Sequence, residues 1–140
     1  IDADDDGRSD LFLFGKDHFW WYPLQPDDFG ITATQIYETD LKDVTYASVL
    51  TGKMDGDDRD DFVAFDNSSS HMMELLLTDG EKLRSAMHFK LFEMDPHFTG
   101  QRGGRFQPYD GVLADLSADG LLDVALLIHN RLIIYCQEER

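Results

Sequence analysis

A nine-residue acidic segment occurs three times in this chain, and a short apolar run begins at the residue that follows each copy. The first copy is Asp2-Ala3-Asp4-Asp5-Asp6-Gly7-Arg8-Ser9-Asp10, followed by Leu11-Phe12-Leu13-Phe14. The second is Lys53-Met54-Asp55-Gly56-Asp57-Asp58-Arg59-Asp60-Asp61, followed by Phe62-Val63-Ala64-Phe65. The third is Asp115-Leu116-Ser117-Ala118-Asp119-Gly120-Leu121-Leu122-Asp123, followed by Val124-Ala125-Leu126-Leu127-Ile128. Asp10 and Asp61 are 51 residues apart, and Asp61 and Asp123 are 62 apart. Recurrence at this period points to propellers or solenoids, whose units bury their apolar faces only by stacking on one another.

Within each segment the oxygen-bearing residues suit a hard cation. Calcium takes six to eight oxygen ligands, and a glycine lets a loop bend sharply enough to turn alternate side chains inward. The ligands expected in the first loop are Asp2, Asp4, Asp6 and Asp10 with the backbone carbonyl of Arg8, bent at Gly7. In the third they are Asp115, Ser117, Asp119 and Asp123 with the carbonyl of Leu121, bent at Gly120. Ser117 is neutral, so affinity there is expected to be lower. The second loop offers Asp55, Asp57 and Asp61 with the carbonyl of Arg59, but it departs twice from the pattern. Lys53 stands at the first position, and Asp58 replaces the glycine, with a tolerance for the left-handed conformation that would keep the bend. Either calcium or the Lys53 ammonium is expected among Asp55, Asp57 and Asp61. In every loop the ion is structural, since the loop's own oxygens leave few open positions. An EF-hand is excluded, because its loop ends in a bidentate glutamate at position 12. Here that position is Leu13, Ala64 or Leu126, and β-forming residues follow.

These loops, of the form D-x-D-x-D-G-x-x-D before a buried strand, resemble the FG-GAP or VCBS repeats. That family builds calcium-binding β-propellers in integrin α-chain heads and in bacterial surface and secreted proteins. The resemblance covers almost the whole chain as about two and a half repeats. It implies an all-β fold of four-stranded antiparallel propeller blades, with Ca2+ loops between first and second strands. The units are expected at 1–43 (partial), 44–110 (complete) and 111–140 (partial). The implied role is a non-catalytic recognition or adhesion module of an extracellular, cell-surface or periplasmic protein. Its protein or carbohydrate ligand is unspecified. Two alternatives are the propeller portion of a surface hydrolase or polysaccharide lyase, and a self-assembling scaffold. Closed propellers need about four to eight blades. The missing ones are expected from the parent chain or from a homo-oligomer.

Composition narrows the partners. The net charge is −16, and the three loops hold five, five and three of the 28 acidic residues, so much of that charge is placed to meet metal. Nucleic acid and anionic membrane surfaces both require a basic face. No apolar run approaches the length of a membrane span. Cys136 is the single cysteine, which rules out a disulfide within these residues and, from its apolar setting, is expected to be a buried, inert thiol. The chain begins at Ile1 and is read as a mature fragment or excised piece.

Between the loops, residues 11–14 are expected to form a strand buried on both faces, and 18–22 its return. Residues 32–39 and 85–94 suit outer strands, 44–50 and 111–114 strands leading into loops, and 72–77 and 131–136 returns. Phe19-Trp20-Trp21-Tyr22 resembles a sugar-stacking platform, but alternate rings filling the space between blades is the preferred reading. The five histidines show no metal-binding pair spacing, and no nucleophile elbow, phosphate loop or CxxC pair is present. Gly100 to Gly104 is read as a flexible loop. Asn67-Ser68-Ser69 fits a glycosylation sequon.

Overall fold

The apolar run after each acidic segment is a strand, and each such strand pairs with the run that follows it. The computed structural model describes residues 7–22, 33–80, 82–92, 108 and 110–138. Among these the chain is all-β, with ten strands in three antiparallel sheets and no helix. The first sheet is β1 (Leu11–Gly15), β2 (His18–Tyr22) and β3 (Thr34–Glu38), in that order. The middle sheet is β4 (Tyr46–Gly52), β5 (Asp61–Asp66), β6 (Met72–Asp79) and β7 (Lys82–Lys90). The third is β8 (Asp110–Ala114), β9 (Asp123–Ile128) and β10 (Arg131–Tyr135), with β9 in the centre. Among the described residues, none of these sheets closes into a barrel.

The three sheets are built to one register. The residue after the closing aspartate pairs with the return strand as Leu11↔Tyr22, Phe62↔Leu76 and Val124↔Tyr135. Strands β1, β5 and β9 are therefore equivalent, as are β2, β6 and β10; β4 matches β8, and β3 matches β7. Opposed residues in an antiparallel pair share a face and neighbours alternate, so each sheet has two distinct faces. One face of the first sheet, carrying Phe19 and Trp21, packs on Phe62, Ala64 and Leu76 of the middle sheet. The other face of the middle sheet, with Val63, Phe65 and Met73, packs on Val124, Leu126 and Ile128. Strand β3 lies by β7 and β4 by β8, so equivalent strands sit next to one another in the stack.

Three features differ from the sequence expectation. Leu11, Leu13 and Phe14 are exposed rather than buried on both faces. Leu11 and Leu13 belong to the face turned away from the middle sheet, and among the described residues no sheet lies over it. Strand β7 starts at Lys82 instead of Ser85, and β6 runs on to Asp79, so the connection between them is shorter than expected. Gly80 takes a left-handed φ of +61° there. Cys136 is exposed, because it follows the last residue of an edge strand and no further strand covers it among the described residues. The alternate-ring reading of residues 19–22 agrees with the structure: Phe19 and Trp21 are buried, while Trp20 is half-buried on the opposite face, stacked on His18.

Candidate metal loops and a buried carboxylate

The second and third acidic loops are organised by their own carboxylates. In the second loop Asp57 N donates to Asp55 Oδ1 at 3.1 Å and Arg59 N to Asp57 Oδ1 at 2.8 Å. Such turns, in which a side chain accepts from an amide two residues on, are what Asp does readily. Asp61 is fully buried, and its two oxygens accept Met54 N at 2.8 Å and Thr78 N at 2.9 Å. One carboxylate thus ties the start of the loop to the end of the return strand.

The third loop repeats three of these four bonds and changes the other. Asp119 Oδ1 accepts Leu121 N at 2.9 Å, the counterpart of the Asp57–Arg59 turn. Asp115 accepts Asp119 N at 3.2 Å and Gly120 N at 3.0 Å. Asp123, also fully buried, accepts Leu116 N and Ser117 N at 2.9 Å, while its other oxygen accepts Gln137 N at 3.0 Å. Ser117 and Leu121 take their places in the loop backbone, exposed and half-buried respectively. In the first loop Gly7 is left-handed at +83°, Arg8 is exposed and Asp10 half-buried just before β1. Asp2, Asp4 and Asp6 lie outside the described residues.

The second loop handles its two departures differently from expectation. Lys53 Nζ sits 3.2 Å from Asp58 Oδ1, on the exposed side of the loop, rather than among Asp55, Asp57 and Asp61. Asp58 does not adopt the left-handed conformation; Gly56, two residues earlier, does so at +82°. Glycine reaches that region without steric cost, so the bend moves to where the glycine stands. The third loop is left-handed at both places, at Ala118 (+62°) and Gly120 (+89°).

The two buried closing carboxylates titrate in opposite directions. Burial pushes the Asp61 carboxyl above the usual range, and the neighbouring Asp55 and Asp57 charges add to that. For Asp123 the Gln137 amide is the largest influence, and with the Leu116 and Ser117 amides it holds the carboxyl below the usual range. Among the described residues no group of three or more His, Cys, Asp or Glu side chains is gathered to hold a metal ion. The donor set itself, carboxylates and carbonyls without nitrogen or sulfur, has the chemistry of a calcium or magnesium site. A carboxylate has about four lone-pair positions, so an oxygen that accepts an amide keeps capacity for a cation.

A further carboxylate lies outside the loops. Glu74 in β6 is 2% exposed, on the face that meets the first sheet. Its Oε1 accepts Tyr37 OH at 2.7 Å and Ser85 Oγ at 2.6 Å; its Oε2 accepts Thr39 Oγ1 at 3.1 Å and Tyr46 OH. Four hydroxyl donors stand in for water, with no cation among them. Burial first, and then the bond to Glu74, push the Tyr37 phenol up to about 12; the same causes raise Tyr46 further. The sequence reading missed this cluster. Its signal was alternation within 72–77, which places Glu74 on the same face as Leu76, where a charge must be buried and satisfied.

No family model, curated protein or solved structure matches this chain.

Proposed function

We propose that this chain is a calcium-stabilised β-propeller repeat module of the FG-GAP or VCBS type, serving recognition or adhesion in a secreted or cell-surface protein. The observation that carries the reading is repetition of the loop bonds. In both described loops with a buried closing aspartate, that carboxylate accepts the amide at the loop's second position. In both, the fifth-position carboxylate accepts the seventh-position amide. The same scaffold before the same strand, in sheets stacked with equivalent strands adjacent, supports a blade whose corner is an oxygen-lined loop. Asp55, Asp57, Asp61 and the Arg59 carbonyl would hold one ion, and Asp115, Ser117, Asp119, Asp123 and the Leu121 carbonyl another. Asp2, Asp4, Asp6, Asp10 and the Arg8 carbonyl would hold a third. Bound calcium would neutralise clustered charge and fix the corner.

The test is a thermal melt in calcium against EDTA. A site with Kd of about 0.1–1 mM adds about 1.4–2.7 kcal/mol at roughly 10 mM calcium. Asp57→Asn keeps an oxygen to accept the Arg59 amide but removes a ligand charge. It should leave the EDTA melt unchanged and reduce the calcium-induced rise. A melt indifferent to calcium overturns the proposal.

A further inference from the structure

Among the described residues the stack of three sheets presents two apolar faces over which no sheet lies. In the middle sheet Leu50, Phe65, Met73 and Leu75 pack against the third sheet. The shared register places Leu50 opposite Val63 and Met73 opposite Phe65 in the middle sheet. It places Val112 opposite Ala125 and Leu132 opposite Leu127 in the third. The equivalents of the four packed residues are therefore Val112, Leu127, Leu132 and Ile134. These are 53%, 36%, 66% and 45% exposed. A face used for stacking between the middle and third sheets thus recurs on the third sheet, with no sheet over it among the described residues.

The opposite end carries the complementary face. Phe62, Ala64, Glu74 and Leu76, which receive the first sheet, correspond by register to Leu11, Leu13, Trp20 and Tyr22. Leu11 and Leu13 are exposed, and Trp20 and Tyr22 are half-buried. Exposed large apolar residues gathered on one face mark an interaction surface rather than ordinary scatter.

We infer that two copies of this chain associate head to tail, the Val112–Leu127–Leu132–Ile134 face of one copy covering the Leu11–Leu13–Trp20–Tyr22 face of the other. The contact continues the two stacking interfaces already inside the chain. It is heterologous, so it closes into a ring where the rotation allows and otherwise extends. Two copies would bring six sheets together, within the range in which propellers close. The inference rests on the repeat reading but requires no metal.

The experiment is sedimentation equilibrium of the whole chain up to roughly 100 µM, where a Kd of ~10 µM or tighter registers. Each chain carries −16, so it is run at about 0.15 M salt or more, where charges are screened within ~8 Å. Parallel runs in EDTA and in calcium separate this inference from the calcium reading. The weight-average mass should rise above the 16.0 kDa of one chain as concentration increases. Leu132→Asp and Leu13→Asp each spoil one face at an exposed position, and each should weaken association by roughly 30-fold or more. Mixed together, they retain one intact pair of faces and should form a heterodimer. Leu11→Asp and Ile134→Asp provide second variants of the same faces, with circular dichroism to verify folding. A wild type that stays monomeric, association that survives both substitutions, or a mixture of folded variants that stays monomeric would each overturn the inference.

Discussion

Replacing Tyr46 by phenylalanine removes one hydroxyl from the Glu74 cluster and leaves its ring against Phe19, 5.5 Å away between centroids. Tyr46 is buried, and its hydroxyl donates to a carboxylate that is 2% exposed, so water cannot easily replace it. A hydrogen bond to a charged group contributes about 1.5–3 kcal/mol. Thr39 Oγ1 stays on the same oxygen at 3.1 Å and retains part of the solvation, which places the expected loss near 2 kcal/mol. For a chain of this length that lowers Tm by roughly 7 °C. Urea unfolding followed by the fluorescence of Trp20 and Trp21 in the adjoining sheet measures it. The decisive form is a double-mutant cycle with Glu74→Leu. Without the carboxylate the Tyr46 hydroxyl has lost its acceptor, so Tyr46→Phe should then cost nothing or stabilise, a coupling of about 2 kcal/mol. Additive effects within about 0.5 kcal/mol would refute the view that the carboxylate organises these hydroxyls.

Three other perturbations probe separate parts of the fold. Asp61→Ala leaves the Met54 and Thr78 amides without their acceptor and should cost about 2–4 kcal/mol by urea unfolding in EDTA; an unchanged midpoint would show that the clasp is dispensable without metal. Gly111→Ala would put its Cβ 2.9 Å from Leu126 Cδ2, 3.0 Å from Leu50 Cδ1 and 3.3 Å from the Ala125 carbonyl. Overpacking of this kind costs about 1–3 kcal/mol, and a neutral result by thermal melt would mean that the second core has slack. The Tyr37 phenol titrates at about 12 in the fold against 10.0 in its ordinary state. Its contribution to stability is therefore intact below pH 10.0 and lost as pH rises through about 12; Tyr46 acts in the same direction. Unfolding midpoints measured from pH 8 to about 11.5 should fall only in the alkaline part of that range, and a flat profile would contradict the burial of both phenols.

Strand positions were legible because their causes are local. Each closing aspartate marks a strand start, and alternation in Phe19-Trp20-Trp21-Tyr22 separates inward from outward rings. The exposure of Leu11 and Leu13 was not legible, since it depends on whether a neighbouring sheet lies over that face. Cys136 misled for a similar reason: an apolar run indicates burial only where another strand covers its edge. The place of Lys53 was not legible either: charge alone left calcium and its ammonium as alternatives among Asp55, Asp57 and Asp61, and its long side chain reaches Asp58 at the exposed rim. The Glu74 cluster draws Tyr37, Thr39 and Tyr46 from sequence positions 28–37 residues away. No spacing rule within the repeat could have gathered them.

The reach of the polar clasps also orders the events of folding. Asp61 closes on Met54 and Thr78, 7 and 17 residues away. Asp123 closes on Leu116 and Gln137, 7 and 14 away. Short loops of this kind are cheap in chain entropy, so the corner of each sheet can close within its own stretch of polypeptide. Glu74 takes Ser85 and Tyr46 from its own sheet, but Tyr37 and Thr39 lie 37 and 35 residues away, about twice that separation, and it is fully satisfied only when the first sheet is in place. Folding should then advance sheet by sheet along the chain, as in stacked repeat arrays, with each docking step completed by burial of the face just formed.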